Sequence, residues 1–223
     1  KEYLKFKNVI HKNLRVLNGP FKGMRYPSAI SMGSSFIPKI LGSYEKEIQE
    51  FINYILQQDY MKIVDIGCAE GYYAVGLGMK FKKTKIYAFD TNKDAQKQCA
   101  LMAKINKVEI DILGLCTKDT LNEITKNEKS LIIIDCEGYE KYLIDPYMAK
   151  ININNDFLIE THDFEDITIT QEILNSFSST HEVQVIESID DISKAYNYEF
   201  VELEGMNLEE KRELLAEYRP ITM

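Results

Sequence analysis

Six acidic residues and one histidine are placed to do chemistry in this sequence: Asp65, Glu70, Asp90, Asp135, Glu137 and Glu160, with His162 following the last of them. Each acid ends, or lies just beyond, a short apolar run such as Ile63-Val64-Asp65-Ile66 or Leu131-Ile132-Ile133-Ile134-Asp135. If those runs are parallel strands, the acids converge on one edge of the sheet, beyond the strands' carboxyl ends, where open α/β sheets bind their ligands. Two features narrow the ligand class. Gly67-Cys68-Ala69-Glu70-Gly71 brackets a tight turn that leaves bare backbone at a helix start, a setting that favours an anionic group. Asp90 closes a run 19 residues beyond Gly71, where a carboxylate can accept hydrogen bonds from both hydroxyls of a ribose. Both point to a nucleotide-type cofactor. A neutral imidazole accepts a proton near neutral pH, which makes His162 the candidate base; His11 and His181 lie outside the cluster.

These residues need elements to hold them, and the spacing supplies an alternation of strands and helices. Strands are predicted at 62–66, 85–90, 108–115, 131–135, 156–160 and 182–186, with helices at 43–56, 92–106, 117–127, 139–150 around Pro146, and 170–178. That rhythm predicts one doubly wound, mostly parallel α/β sheet, of seven strands if Arg219–Met223 adds an antiparallel edge. Turn formers such as Asn18-Gly19-Pro20 mark residues 1–40 as an N-terminal extension of short strands and turns, a possible lid, before a domain over 41–223. Residues 190–219, including a charged helix at 207–218, read as an insertion before the last strand.

Composition excludes several classes. At 223 residues the chain suits one α/β domain with additions, and its 45% hydrophobic and 28% charged residues are ordinary for a globular protein. A formal net charge of −8 argues against nucleic acid or an anionic membrane as the main partner. Cys68, Cys99, Cys116 and Cys136 form no C-x-x-C pair, which fits a reducing compartment rather than a disulfide framework. No run of 18 apolar residues exists and the opening Lys1-Glu2-Tyr3-Leu4-Lys5 does not read as a secretory signal, so a cytoplasmic location is expected.

The cofactor class turns on the glycine turn. A dinucleotide fingerprint, G-x-G-x-x-G, requires glycine where Ala69 and Tyr72 stand. The pattern from Asp65 to Gly71 is D-x-G-x-A-x-G, similar to the motif of Rossmann-like S-adenosylmethionine-dependent methyltransferases. The set V-D-I-G-C-A-E-G (64–71), I-I-D-C-E-G-Y-E (133–140) and I-E-T-H-D (159–163) resembles the FkbM-type methyltransferases. It departs from their usual pattern at Cys68-Ala69-Glu70 and does not reach residues 1–40 or the tail. The resemblance implies a class I methyltransferase fold with S-adenosyl-L-methionine in a cradle of Asp65, Gly67, Cys68, Ala69, Glu70, Gly71, Asp90, Thr91 and Asp135. Leu115 and Cys116 would lie beside the adenine. A sugar or small natural-product hydroxyl would sit over Asp135, Glu137, Glu160 and His162 as the methyl acceptor. A divalent cation on Asp135, Glu160 and His162 is a less favoured alternative. Glu137 and Glu140 need not do the same job: if Tyr139 opens a helix, Glu137 lies in the pocket turn, whereas Glu140 could simply favour the positive helix end. A nicotinamide-dependent oxidoreductase, or a binding module without activity, is the rival reading.

Overall fold

The computed structural model describes Phe6, Ile10 and residues 14–218, and the chain within it divides into two compact units. One unit, Gln58–Val185, is the sheet domain. The other joins the described residues up to Gln57 with those from Ile186 to Tyr218.

The sheet domain holds five strands: β1 (Lys62–Ile66), β2 (Lys85–Phe89), β3 (Asp111–Leu113), β4 (Ser130–Ile134) and β5 (Asp156–Ile159). They run parallel in the order β3-β2-β1-β4-β5. The order reverses between β1 and β4, the two most completely buried strands, which are covered on both faces as central parallel strands must be. Helix α1 (Tyr72–Lys80) follows β1 and α2 (Lys93–Asn106) follows β2. After β3 comes α3 (Lys118–Thr125); after β4 come α4 (Glu140–Leu143) and α5 (Pro146–Ile151); after β5 comes α6 (Ile169–Phe177). Alternate residues Val64, Ile66, Ile132 and Ile134 enter one apolar cluster with Leu121, Leu143, Met148, Ile173 and Phe177, which fixes α3 to α6 on that face. The opposite residues, Ile63, Ile86, Leu131 and Ile133, are equally buried, and α1 and α2 contribute Val75, Leu77, Cys99 and Met102 to the buried set.

Expectation and structure part company at the margins of the sheet. There are five strands among the described residues, not seven. Residues 182–186 form no strand: Glu182, Val183, Gln184 and Val185 are all exposed, so their alternation separates no buried face from a wet one and finds no strand partner. The edge strand expected at Arg219–Met223 lies outside the described residues. The helix expected at 139–150 is two, because Pro146 cannot continue a helix and instead opens α5, with Asp145 accepting from the Met148 amide 2.8 Å away. The helix expected from Ser43 begins instead as a 3₁₀ turn, Lys46–Ile48, preceded by Glu45 at φ 46°, and becomes α-helical only over Gln49–Ile55.

In the other unit, Arg15 and Arg25 form an antiparallel bridge, and helices Phe36–Leu41, Gln49–Ile55, Asp191–Asn197 and Leu208–Leu215 pack without a sheet. Its interior holds a charge: Lys194, 1% exposed, lies 2.7 Å from Glu217 Oε1 and 3.7 Å from Glu47 Oε1. Tyr198 donates its hydroxyl to Glu47 at 3.2 Å. Removing the lysine would leave two buried acids without their cation.

Gly67 is the most closely approached of the described glycines. At φ 86° its backbone is left-handed, and a Cβ there would sit 1.6 Å from the Asp135 carbonyl oxygen. Gly67→Ala is therefore expected to cost more than about 4 kcal/mol in urea unfolding, whereas Gly114→Ala, with nothing within 4 Å, should stay within about 0.5 kcal/mol.

Candidate functional site

Beyond β1 and β4 the chain leaves in opposite directions and opens a crevice at the point of strand reversal. Backbone hydrogen bonds hold its floor: Gly67 and Cys68 donate to the Phe89 carbonyl at 2.8 and 3.0 Å, and Asp135 donates to the Ile66 carbonyl at 2.9 Å. The turn from Gly67 to Gly71 places Ala69 at φ 48° and Gly71 at φ 92°. A left-handed alanine is strained, and it is held by its amide donating to Asp90 Oδ2 at 2.9 Å. The other oxygen of Asp90 accepts from the Asn92 amide at 2.8 Å.

The acids expected at the cofactor separate into two groups. Asp65 is buried, and its Oδ2 accepts from the Ala74 amide at 2.9 Å, three residues into α1, so it anchors the helix rather than facing outward. Glu70 is buried as well. Cys68 and Cys99 pack together; the hydrogen bond to Cys99, then burial and the nearby carboxylates, push the Cys68 thiol far up and leave it unreactive. Cys116 lies in the core, where burial raises its thiol to about 12. The backbone of Gly67 and Ala69 remains partly accessible, as do Asp90, Thr91, Leu115 and Asp135. Leu115, two residues beyond the end of β3, is 56% exposed.

The second half of the site is built on one buried histidine. His162, 5% exposed, has its Nδ1 2.8 Å from Glu140 Oε1. Its Nε2 faces Asp135 Oδ1 at 3.4 Å and Glu137 Oε2 at 3.7 Å. Glu137 stands at φ 53° and Gly138 at φ 92°, and this double left-handed turn carries the Glu137 side chain over the end of β4. Glu140 is the residue that sequence reasoning missed. It is fully buried, it also accepts from the Cys136 amide at 3.1 Å, and burial, which would raise its pKa, is outweighed by His162 and these hydrogen bonds, which lower it. The signal was present as the third acid of D-x-E-G-x-E, whose spacing returns it beneath Asp135.

Burial lowers the affinity of His162 for a proton, but the hydrogen bond and charge of Glu140, with the charges of Asp135 and Glu160, outweigh it and raise the pKa to about 9. At neutral pH the ring is therefore charged, and the expectation of a neutral imidazole base does not fit this arrangement. The other histidine among the described residues, His181, packs edge-on against Phe157 and Phe177 and bonds to Thr180 and the Asn152 carbonyl. His11 lies outside the described residues. A cavity of about 600 Å³ lined by Lys82, Lys83, Lys85 and Lys107 lies at the amino ends of β2 and β3, the wrong edge for this chemistry. No helix among the described residues is long and apolar enough to cross a membrane.

In chelator-treated protein the His162 ring is expected to titrate near pH 9 by NMR, against an ordinary 6.5. Because the folded value is raised, its contribution to stability is fully present below about pH 6.5 and is lost as the pH rises through about 9. A midpoint near 6.5 would show that Glu140 and Asp135 do not act on the ring as described.

No family model matches the chain. A release factor glutamine methyltransferase of Dictyoglomus turgidum is 43% identical over 54 residues, which is 24% of this chain and 19% of that protein. The chain thus corresponds to about a fifth of the length of that relative. Among solved structures, a putative O-methyltransferase from Klebsiella pneumoniae is similar over 61% of this chain and 67% of its own, at TM-score 0.45 and 10% identity. A tRNA (uracil-54, C5)-methyltransferase from Pyrococcus abyssi, solved with S-adenosyl-L-homocysteine, is similar over 52% of this chain and 28% of its own, at TM-score 0.39 and 15% identity.

Proposed function

We propose that the chain transfers a methyl group from S-adenosyl-L-methionine to a hydroxyl of a sugar or small natural product, as an FkbM-type enzyme would. The observation that carries this reading is the turn 67–71 at the strand reversal with the Asp90 carboxylate beside it. The turn offers backbone at the start of a helix, and Asp90 stands partly accessible at the end of the neighbouring strand, where a nucleoside's ribose would lie. Leu115 gives the base an apolar surface. Asp65 serves by anchoring α1, and so holds the turn without touching the cofactor.

Methyl transfer is an in-line displacement at a sulfonium carbon, so the protein contributes alignment and somewhere for the hydroxyl proton to go. The acceptor would lie at the ends of β4 and β5, over Asp135, Glu137, Glu160 and His162. With the ring charged at neutral pH, the proton passes to the carboxylates around it, and His162 orients them. The net charge of −8 favours a neutral or cationic acceptor over nucleic acid.

A nicotinamide cofactor would use an acid in the place of Asp90 as well. It is disfavoured by Ala69 and by Tyr72, whose buried ring fills the position where a dinucleotide turn keeps its last glycine. Calorimetric titration separates the two. S-adenosylmethionine and S-adenosylhomocysteine should bind the wild type in the micromolar range, and Asp90→Ala should weaken them by about 1.5–3 kcal/mol. Binding of a nicotinamide dinucleotide instead, with neither sulfonium nor thioether ligand bound, would overturn the proposal.

A further inference from the structure

We infer that Asp135, Glu137 and His162 form a binding site for a divalent first-row cation at the carboxyl end of β4. The three donor atoms, Asp135 Oδ1, Glu137 Oε2 and His162 Nε2, all lie within 4.8 Å of one another. Acidic clusters are common without any ligand, so the histidine decides the case. Its ring is 95% buried by its 5% exposure, is aimed at the gap between the two carboxylates, and makes no hydrogen bond through Nε2 among the described residues. The separations of 3.4 and 3.7 Å are too long for a hydrogen bond, which closes to roughly 2.7–3.2 Å. They match two ligands of one cation: donors each about 2.1 Å from a metal at a tetrahedral angle stand roughly 3.4 Å apart.

The far side of the ring supports the same assignment. A metal-bound histidine typically donates its second N–H to a carboxylate, which fixes the ring's orientation and strengthens it as a ligand. Here Glu140, fully buried, accepts from Nδ1 at 2.8 Å, and the cation takes the place of the proton that Nε2 carries without it. One imidazole with two carboxylates mixes a borderline nitrogen with hard oxygens, which suits Mn²⁺, Fe²⁺ or Zn²⁺ better than an all-oxygen Ca²⁺ site. Glu137, with a side chain 71% exposed, is the outer ligand, and the open side of the cluster leaves coordination positions for water or a ligand oxygen. The set differs from the cation alternative read in the sequence: Glu137 replaces Glu160, because the left-handed turn at 137–138 brings it to the ring.

This inference stands on the cluster and not on methyl transfer. The test is titration of Mn²⁺ into the full chain after chelator stripping, followed by loss of the free-ion electron paramagnetic resonance signal. One tight site is expected, abolished in His162→Ala and weakened at least about tenfold in Glu137→Gln. Since Glu137 is exposed, Glu137→Gln keeps the test valid if His162→Ala does not fold. Binding that is equal in wild type and Glu137→Gln, or no binding at millimolar Mn²⁺, would overturn the assignment. S-adenosylhomocysteine titrated into the same samples keeps the two readings apart: its binding without Mn²⁺ binding removes only the cation site, and Mn²⁺ binding without it removes only the cofactor.

Discussion

The site depends on one close approach, that of the Gly67 backbone to the carbonyl of Asp135. Parallel pairing of β1 with β4 brings the two chains together, and at their carboxyl ends they must diverge, one toward α1 and the other toward α4. There is no room for a side chain at the crossing, and the left-handed backbone needed to turn away is one that glycine adopts without strain. A sheet order that reverses anywhere would open a crevice. At this contact the two chains part, the glycine turn following β1 and the acids following β4.

Charge is then distributed by burial. Each buried or half-buried carboxylate whose contacts are described has a positive or amide partner that also does positioning. Asp65 takes the third amide of α1, Asp90 takes the amides of Ala69 and Asn92, and Glu140 takes the ring of His162. Unpaired, such groups would be costly in a low-dielectric interior, and paired they rigidify what they touch. The strained Ala69 and the left-handed Glu137 lie in the turns after β1 and β4, each held by the elements behind it. Within this frame Asp90, Asp135 and Glu137 stay accessible beyond the carboxyl ends of the strands.

The strands at the centre were legible because burial on both faces leaves a signature no polar residue can mimic: Ile63-Val64 and Leu131 to Ile134 are β-branched or apolar without a break. The glycine turn and Asp90 were legible for a different reason, since bare backbone and a strand-end acid are local requirements. Failure came where pattern and environment separate. Val183 and Val185 alternate with polar neighbours but stay in water, so alternation alone predicted a strand that nothing pairs. Glu140 looked like a solvated helix-start acid, because its partner His162 is 22 residues away and its burial is a tertiary fact. The charge on His162 was hidden for the same reason: its neutral value follows from the residue type, and its raised value from three carboxylates that only the fold assembles.

Hydrogen exchange of the backbone amides with and without S-adenosylhomocysteine tests most directly whether the crevice at the strand reversal is the cofactor site. The turn Gly67–Gly71 and the segment from Asp90 to Asn92 should slow together on adding the ligand, with Leu115 nearby, while the amino ends of β2 and β3 remain unchanged. Protection that appears elsewhere, or exchange in both segments that the ligand leaves untouched, would contradict that placement.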